Sequence, residues 1–114
     1  MWRLARLGEV FMNLISNAIK YNEKQNKLIE IGCTEVNGAT VYFVRDNGIG
    51  IAPEYHETVF QIFRRLHAPE RFGGGTGAGL TIVRKILERH QGRVWLESEI
   101  GVGTTFFFTV GVNC

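Results

Sequence analysis

Residues 73–87, GGGTGAGLTIVRKIL, place five glycines within seven positions directly ahead of a segment whose Leu80, Val83, Ile86 and Leu87 recur at helical spacing. A flexible linker has the same glycine content but does not run into a patterned helix. Here unpaired backbone N–H groups and the positive end of a helix dipole follow a stretch without side chains, a geometry that suits a polyphosphate. The standard phosphate loop is excluded, because Leu80 and Thr81 stand where its Lys and Ser/Thr belong. A dinucleotide fingerprint fails too, since no glycine trio in the run has G-x-G-x-x-G spacing. The protein-kinase H-R-D and D-F-G segments are missing as well.

Working outward, the helix is expected over Gly77–Gln91, with Arg89 and His90 in its last turn and Gly92 as its stop. Upstream, Leu4, Leu7, Phe11, Leu14, Ile15 and Ala18 predict an amphipathic helix from Leu4 to Asn22. On its polar side Asn13, Asn17 and Lys20 fall within about 60° of one another. Leu28–Val36 and Ala39–Arg45 read as strands joined at Asn37-Gly38, the strongest short signal for a two-residue hairpin turn. Asp46-Asn47-Gly48-Ile49-Gly50 forms a loop, followed by a short helix over Tyr55–Ile62. Val94–Glu97 and Thr104–Val112 complete the set as strands joined through Gly101-Val102-Gly103. The fold class is α/β, of the α+β kind: a two-layer sandwich of a mixed, mostly antiparallel sheet against helices.

The 114 residues suit one domain spanning 1–114. With 45% hydrophobic and 21% charged residues the chain is an ordinary globular one. A net charge of +2 argues against nucleic acid as a partner and against direct membrane contact. Neither cysteine has metal-ligand or redox-motif spacing, which points to a reducing, cytoplasmic setting. The sequence has no signal-peptide pattern and no apolar run of membrane-spanning length.

Taken together, the motifs resemble the catalytic ATP-binding domain of sensor histidine kinases, in the superfamily that includes gyrase, Hsp90 and MutL. Asn13-Leu14-Ile15-Ser16-Asn17-Ala18-Ile19-Lys20-Tyr21 is similar to that family's N box, and Asp46-Asn47-Gly48-Ile49-Gly50 to its G1 box. Val59-Phe60-Gln61-Ile62-Phe63-Arg64-Arg65 is similar to the F box, and Gly75-Thr76-Gly77-Ala78-Gly79-Leu80 to the G2 box. Gly101-Val102-Gly103-Thr104-Thr105-Phe106 is similar to the last glycine motif, and the wording of the G2 box is similar to phytochrome-type and related hybrid kinases.

The resemblance implies the Bergerat ATP-binding fold, here without its usual N-terminal strand, and a chain that is a piece of a larger kinase. It implies ATP and Mg²⁺ as ligands. Asn17 would place an oxygen on the metal with support from Asn13, and Lys20 and Arg65 would meet the phosphates. Asp46 would accept a hydrogen bond from the adenine amine, an interaction guanine cannot offer. Gly48 and Gly50 would admit the base, Tyr21 would line it or simply pack, and Gly75, Thr76, Gly77, Gly79, Leu80 and Thr105 would complete the nucleotide contacts. Phe60 and Phe63 are either core or a patch for the helical phosphoacceptor domain.

His56, His67 and His90 lack the context of a phosphoacceptor, so the acceptor histidine is expected on a separate dimerisation and phosphotransfer domain. A response regulator would follow downstream. The glutamate that activates water in gyrase-like relatives is replaced by Asn13, favouring transfer over hydrolysis. A noncatalytic nucleotide-binding module and a hydrolytic ATPase of the same superfamily stand as alternatives. An open sheet edge is expected to permit homodimer pairing.

Overall fold

The computed structural model describes residues 2–60 and 79–110. Helix α1 (Trp2–Lys20) is followed by strands β1 (Ile29–Val36) and β2 (Ala39–Asp46), then by two 3-10 turns, Pro53–Tyr55 and Thr58–Phe60. Helix α2 (Gly79–Arg89) and strands β3 (Arg93–Glu99) and β4 (Gly103–Thr109) complete the order. The sheet order is β1-β2-β4-β3, and each neighbouring pair is antiparallel. The expected mixed sheet is therefore purely antiparallel among the described residues.

The hairpin turn lies where Asn37-Gly38 puts it, with φ of 51° and 83° at the two positions, the left-handed pair that such turns require. The short helix expected over Tyr55–Ile62 is corrected. Its described part consists of single 3-10 turns closed by Tyr55 N–H to Ala52 O, His56 N–H to Pro53 O and Phe60 N–H to Glu57 O. Pro53 starts the first turn with no hydrogen to donate, Ala52 before it is extended, and no side-chain bond caps the turn. At the end of α2 the left-handed residue is Gln91 (φ 64°), one position before the expected stop, and Gly92 N–H closes the end on Leu87 O.

The core lies between the two helices and one face of the sheet. Val10 and Leu14 of α1, Val83 and Leu87 of α2, Val44, Phe106 and Phe108 are all buried. Phe11 sets its ring edge-on to Phe108 (centroids 5.1 Å apart) and to Tyr42 (6.1 Å), which ties α1 to the centre of the sheet. Residues on a strand alternate faces. The opposite face accordingly carries Phe43, Phe107 and Trp95 side by side across β2, β4 and β3, with centroids 6.5 and 5.6 Å apart. The guanidinium groups of Arg45 and Arg93 close the two ends of that row, over Phe43 and Trp95.

Candidate functional site

The C-terminal end of α1, the loop after β2 and the β3–β4 turn meet at one end of the sheet. Tyr21 O, just past α1, accepts the N–H of Ile49 (3.2 Å), and Ile49 O accepts the N–H of Gly101 (2.9 Å). Three segments remote in sequence are thereby tied through a single residue. Gly48 permits the first approach, because a Cβ there would stand 2.7 Å from Tyr21 O. Gly50 permits the second: its φ is 81°, and a Cβ would overlap the Glu99 carbonyl. The close approach these glycines allow in the structure is of backbone to backbone.

Asp46 ends β2 at the rim of this junction, half-buried. Its Oδ1 accepts the N–H of Gly48 (2.8 Å), and the Thr104 backbone also donates to the carboxylate. Burial raises its pKa above the ordinary aspartate value, while the bonds from Gly48 and Thr104 oppose the shift. Thr104 lies directly across the sheet from Asp46. Its hydroxyl is 2.7 Å from Ser98 Oγ, which also receives the Ile51 N–H (2.7 Å) and donates to Gly103 O (2.9 Å).

On α1, Asn13, Asn17 and Lys20 are half-buried on the polar side, and the turn that carries Asn17 and Lys20 abuts the 46–50 loop through Tyr21. The Asn13 amide Nδ2 donates to Glu9 O (2.8 Å), which commits the amide nitrogen and leaves the carbonyl oxygen as the atom available to a cation. Among the described residues no three His, Cys, Asp or Glu side chains cluster as metal ligands. Asparagine side-chain oxygens are hard donors, which fit a hard ion that keeps phosphate and water among its ligands.

Not every expected residue joins this group. Thr105 lies on the opposite face of the sheet, where its Oγ1 accepts from Arg45 Nε (3.3 Å). The hydroxyl on the Asp46 side belongs to Thr104. Strand alternation from the buried Phe106 and Phe108 points to that residue. The Leu80 side chain is buried with Val83 and Leu87, and its backbone N–H lies in the first turn of α2. Phe60 is also core, its ring edge-on to Phe106 at 6.1 Å. Gly79 opens α2. Arg65, Gly75, Thr76, Gly77 and Phe63 lie outside the described residues.

Sequence reasoning gave no role to Asn22 or Asn47. Asn22 is 4% exposed, and its Nδ2 donates to Asn47 Oδ1 (2.8 Å) while its Oδ1 accepts the Lys24 N–H (2.9 Å). Asn47 Oδ1 also accepts the Leu28 N–H (2.9 Å), and its Nδ2 donates to Asn26 O (3.1 Å).

Residues 3–113 match the family model described as histidine kinase-, DNA gyrase B- and HSP90-like ATPase. Cyanobacterial phytochrome B of Nostoc sp. is 58% identical over 106 residues, covering 92% of this chain and 14% of that protein. The methanogenesis regulatory histidine kinase FilI of Methanothrix harundinacea is 44% identical, covering 92% of this chain and 12% of that protein. The chain thus spans about one seventh or less of the length of these relatives. Among solved structures, the full-length ShkA complex with AMPPNP superposes with a TM-score of 0.79 at 27% identity, covering 92% of this chain and 21% of that one. The catalytic domain of histidine kinase ThkA gives 0.75 at 32% identity, covering 93% and 66%.

Proposed function

Since the chain belongs to the histidine kinase-, DNA gyrase B- and HSP90-like ATPase family and is a histidine kinase catalytic domain within it, we propose that it binds Mg·ATP at the α1–β2 junction and donates the γ-phosphoryl group to a histidine on a separate phosphoacceptor domain. The observation that carries this reading is the half-buried Asp46 carboxylate, held by backbone N–H groups beside the α1 end that bears Asn17 and Lys20.

In this reading Asp46 accepts the adenine amine, with Tyr21 alongside the base. Asn17 and the side-chain oxygen of Asn13 would hold the cation, which would supply positive charge to offset that of the phosphates. Lys20 and Arg65 meet the phosphates, while the N–H groups of Gly75–Gly79 and Leu80 supply further donors. As the imidazole nitrogen of the acceptor bonds to phosphorus, the bond to the β,γ-bridging oxygen breaks, ADP leaves, and the imidazole N–H proton passes to solvent. His56 is occupied within this chain, its Nε2 3.0 Å from Ile51 O. A response regulator then takes the phosphoryl group. Dependence on ATP sets the domain in the cytoplasm; among the described residues no helix is long and apolar enough to cross a membrane.

Strand β1 is an edge of the sheet with Ile31 and Val36 half-exposed, and self-pairing along it is the expected route to a homodimer. Calorimetric titration with ATP, with and without Mg²⁺, tests the site. Tight binding that Asn17→Ala reduces only in the presence of Mg²⁺ supports it, and equal loss in both conditions refutes the metal assignment. Labelled ATP supplied with a separately purified phosphoacceptor domain tests the transfer, which fails as a reading if label never reaches the acceptor.

A further inference from the structure

The Asn22–Asn47 pair has no part in the chemistry just described, yet four hydrogen bonds join the two amides to each other and to Lys24, Leu28 and Asn26. We infer that Asn22 and Asn47 form an amide clasp that positions Asp46 for the adenine amine, making both asparagines positioning residues for base selection. The inference rests on the reading of Asp46 as the adenine acceptor.

Asn47 sits between Asp46 and Gly48, inside the turn that carries the Gly48 N–H to Asp46 Oδ1. Its side chain points away from that turn and is anchored at three atoms of the segment after α1: Asn22 Nδ2, Leu28 N and Asn26 O. Asn22 directly follows Tyr21 and is buried, so its amide has no water to fall back on if Asn47 is lost. The clasp therefore fixes the Asp46 side of the base site from outside it. Without it, the 46–50 loop retains the Ile49 contacts to Tyr21 and Gly101, which hold its far end but not the Asp46–Gly48 turn. Truncating Asn47 leaves the carboxylate only its own bonds to the Gly48 N–H and the Thr104 backbone, and so loosens the turn that sets its direction while leaving the helices and the sheet in place.

The test compares ATP with purine riboside 5′-triphosphate, which lacks the 6-amino group, by titration in Mg²⁺ on the parent chain and on Asn47→Ala, Asn22→Ala, the double variant and Asp46→Asn. The parent is expected to prefer ATP by about tenfold or more, the share of one hydrogen bond to a charged group. Asn47→Ala should bring that preference to within about twofold of the Asp46→Asn value, with binding of the amine-free nucleotide unchanged. Asn22→Ala, which leaves Asn47 two of its anchors, should fall between, and the double variant should match Asn47→Ala. Asn22→Ala also serves if Asn47→Ala does not fold. A folded Asn47→Ala or Asn22→Ala that keeps the full preference, or that loses both nucleotides equally, overturns the clasp. A parent without preference, or an Asp46→Asn variant that keeps it, overturns the adenine reading and the clasp with it.

Discussion

Replacing Asp46 by asparagine exchanges one oxygen for an NH₂ group, and the structure sets what each orientation of the new amide loses. One carboxylate oxygen, Oδ1, is already committed to the Gly48 N–H at 2.8 Å. If the asparagine keeps its carbonyl there, the NH₂ group takes the remaining position and confronts the adenine amine, donor against donor. If it flips, NH₂ is pressed against the Gly48 N–H instead. Either orientation forfeits a hydrogen bond to a charged acceptor, about 1.5–3 kcal/mol, so the dissociation constant for ATP should rise about 10- to 150-fold. The same NH₂ group suits the carbonyl oxygen that guanine carries at that position, so GTP should lose nothing and the ATP-over-GTP preference should shrink or invert. Calorimetric titration of both nucleotides, with circular dichroism to establish folding, measures this. A folded Asp46→Asn that binds ATP within about twofold of the parent refutes the geometry on which the site rests.

The raised pKa of Asp46 carries two pH dependences. ATP affinity should decline as pH falls through a window lying above the ordinary aspartate range, because the protonated acid is a poorer acceptor. For stability the sign is opposite: a carboxyl whose folded pKa is raised favours the fold below its unfolded pKa, and that contribution is lost as pH rises through the folded pKa. Asp46→Asn should therefore gain stability relative to the parent at neutral pH and not in acid, as read by denaturant unfolding at both; the same difference at the two pH values counts against it. Gly50→Ala and Gly38→Ala both place a side chain at positive φ, 81° and 83°, but only the first meets another chain segment, at Glu99. Gly38→Ala should cost about 1–2 kcal/mol, and Gly50→Ala clearly more, in urea unfolding; equal costs would contradict the tight junction. Phe108, fully buried beneath α1, should cost about 3–5 kcal/mol when cut to alanine, a large part of a small domain's stability, and a loss below about 1 kcal/mol would place it outside the core.

The legible features were those whose signal repeats locally. Leu7, Leu14 and Ala18 repeat with the helical period, and Asn37-Gly38 encodes its own turn, so α1 and the first hairpin were readable from neighbours alone. The place of Asp46 at a strand end was readable because a β-rich run followed by closely spaced glycines is a local pattern. The Asn22–Asn47 clasp joins residues 25 positions apart and leaves no periodic trace. Which of the adjacent Thr104 and Thr105 faces Asp46 follows from strand alternation only once the buried face is known. Helical periodicity assigned the Leu80 side chain to the core, where it packs, although the same residue closes the segment similar to the G2 box. The segment after Pro53 offered apolar residues at helix-like spacing, yet the contacts it makes are those of separate turns.

The Thr81 hydroxyl donates to the Phe60 carbonyl at 2.7 Å in a buried setting. Phe60 and the first turn of α2, 21 positions apart in sequence, are thereby pinned to one another. Because β4 also lies against β2, a single backbone cut between Phe60 and α2 would leave two fragments that still share a sheet and this bond. Two halves expressed separately have the contacts needed to find each other again.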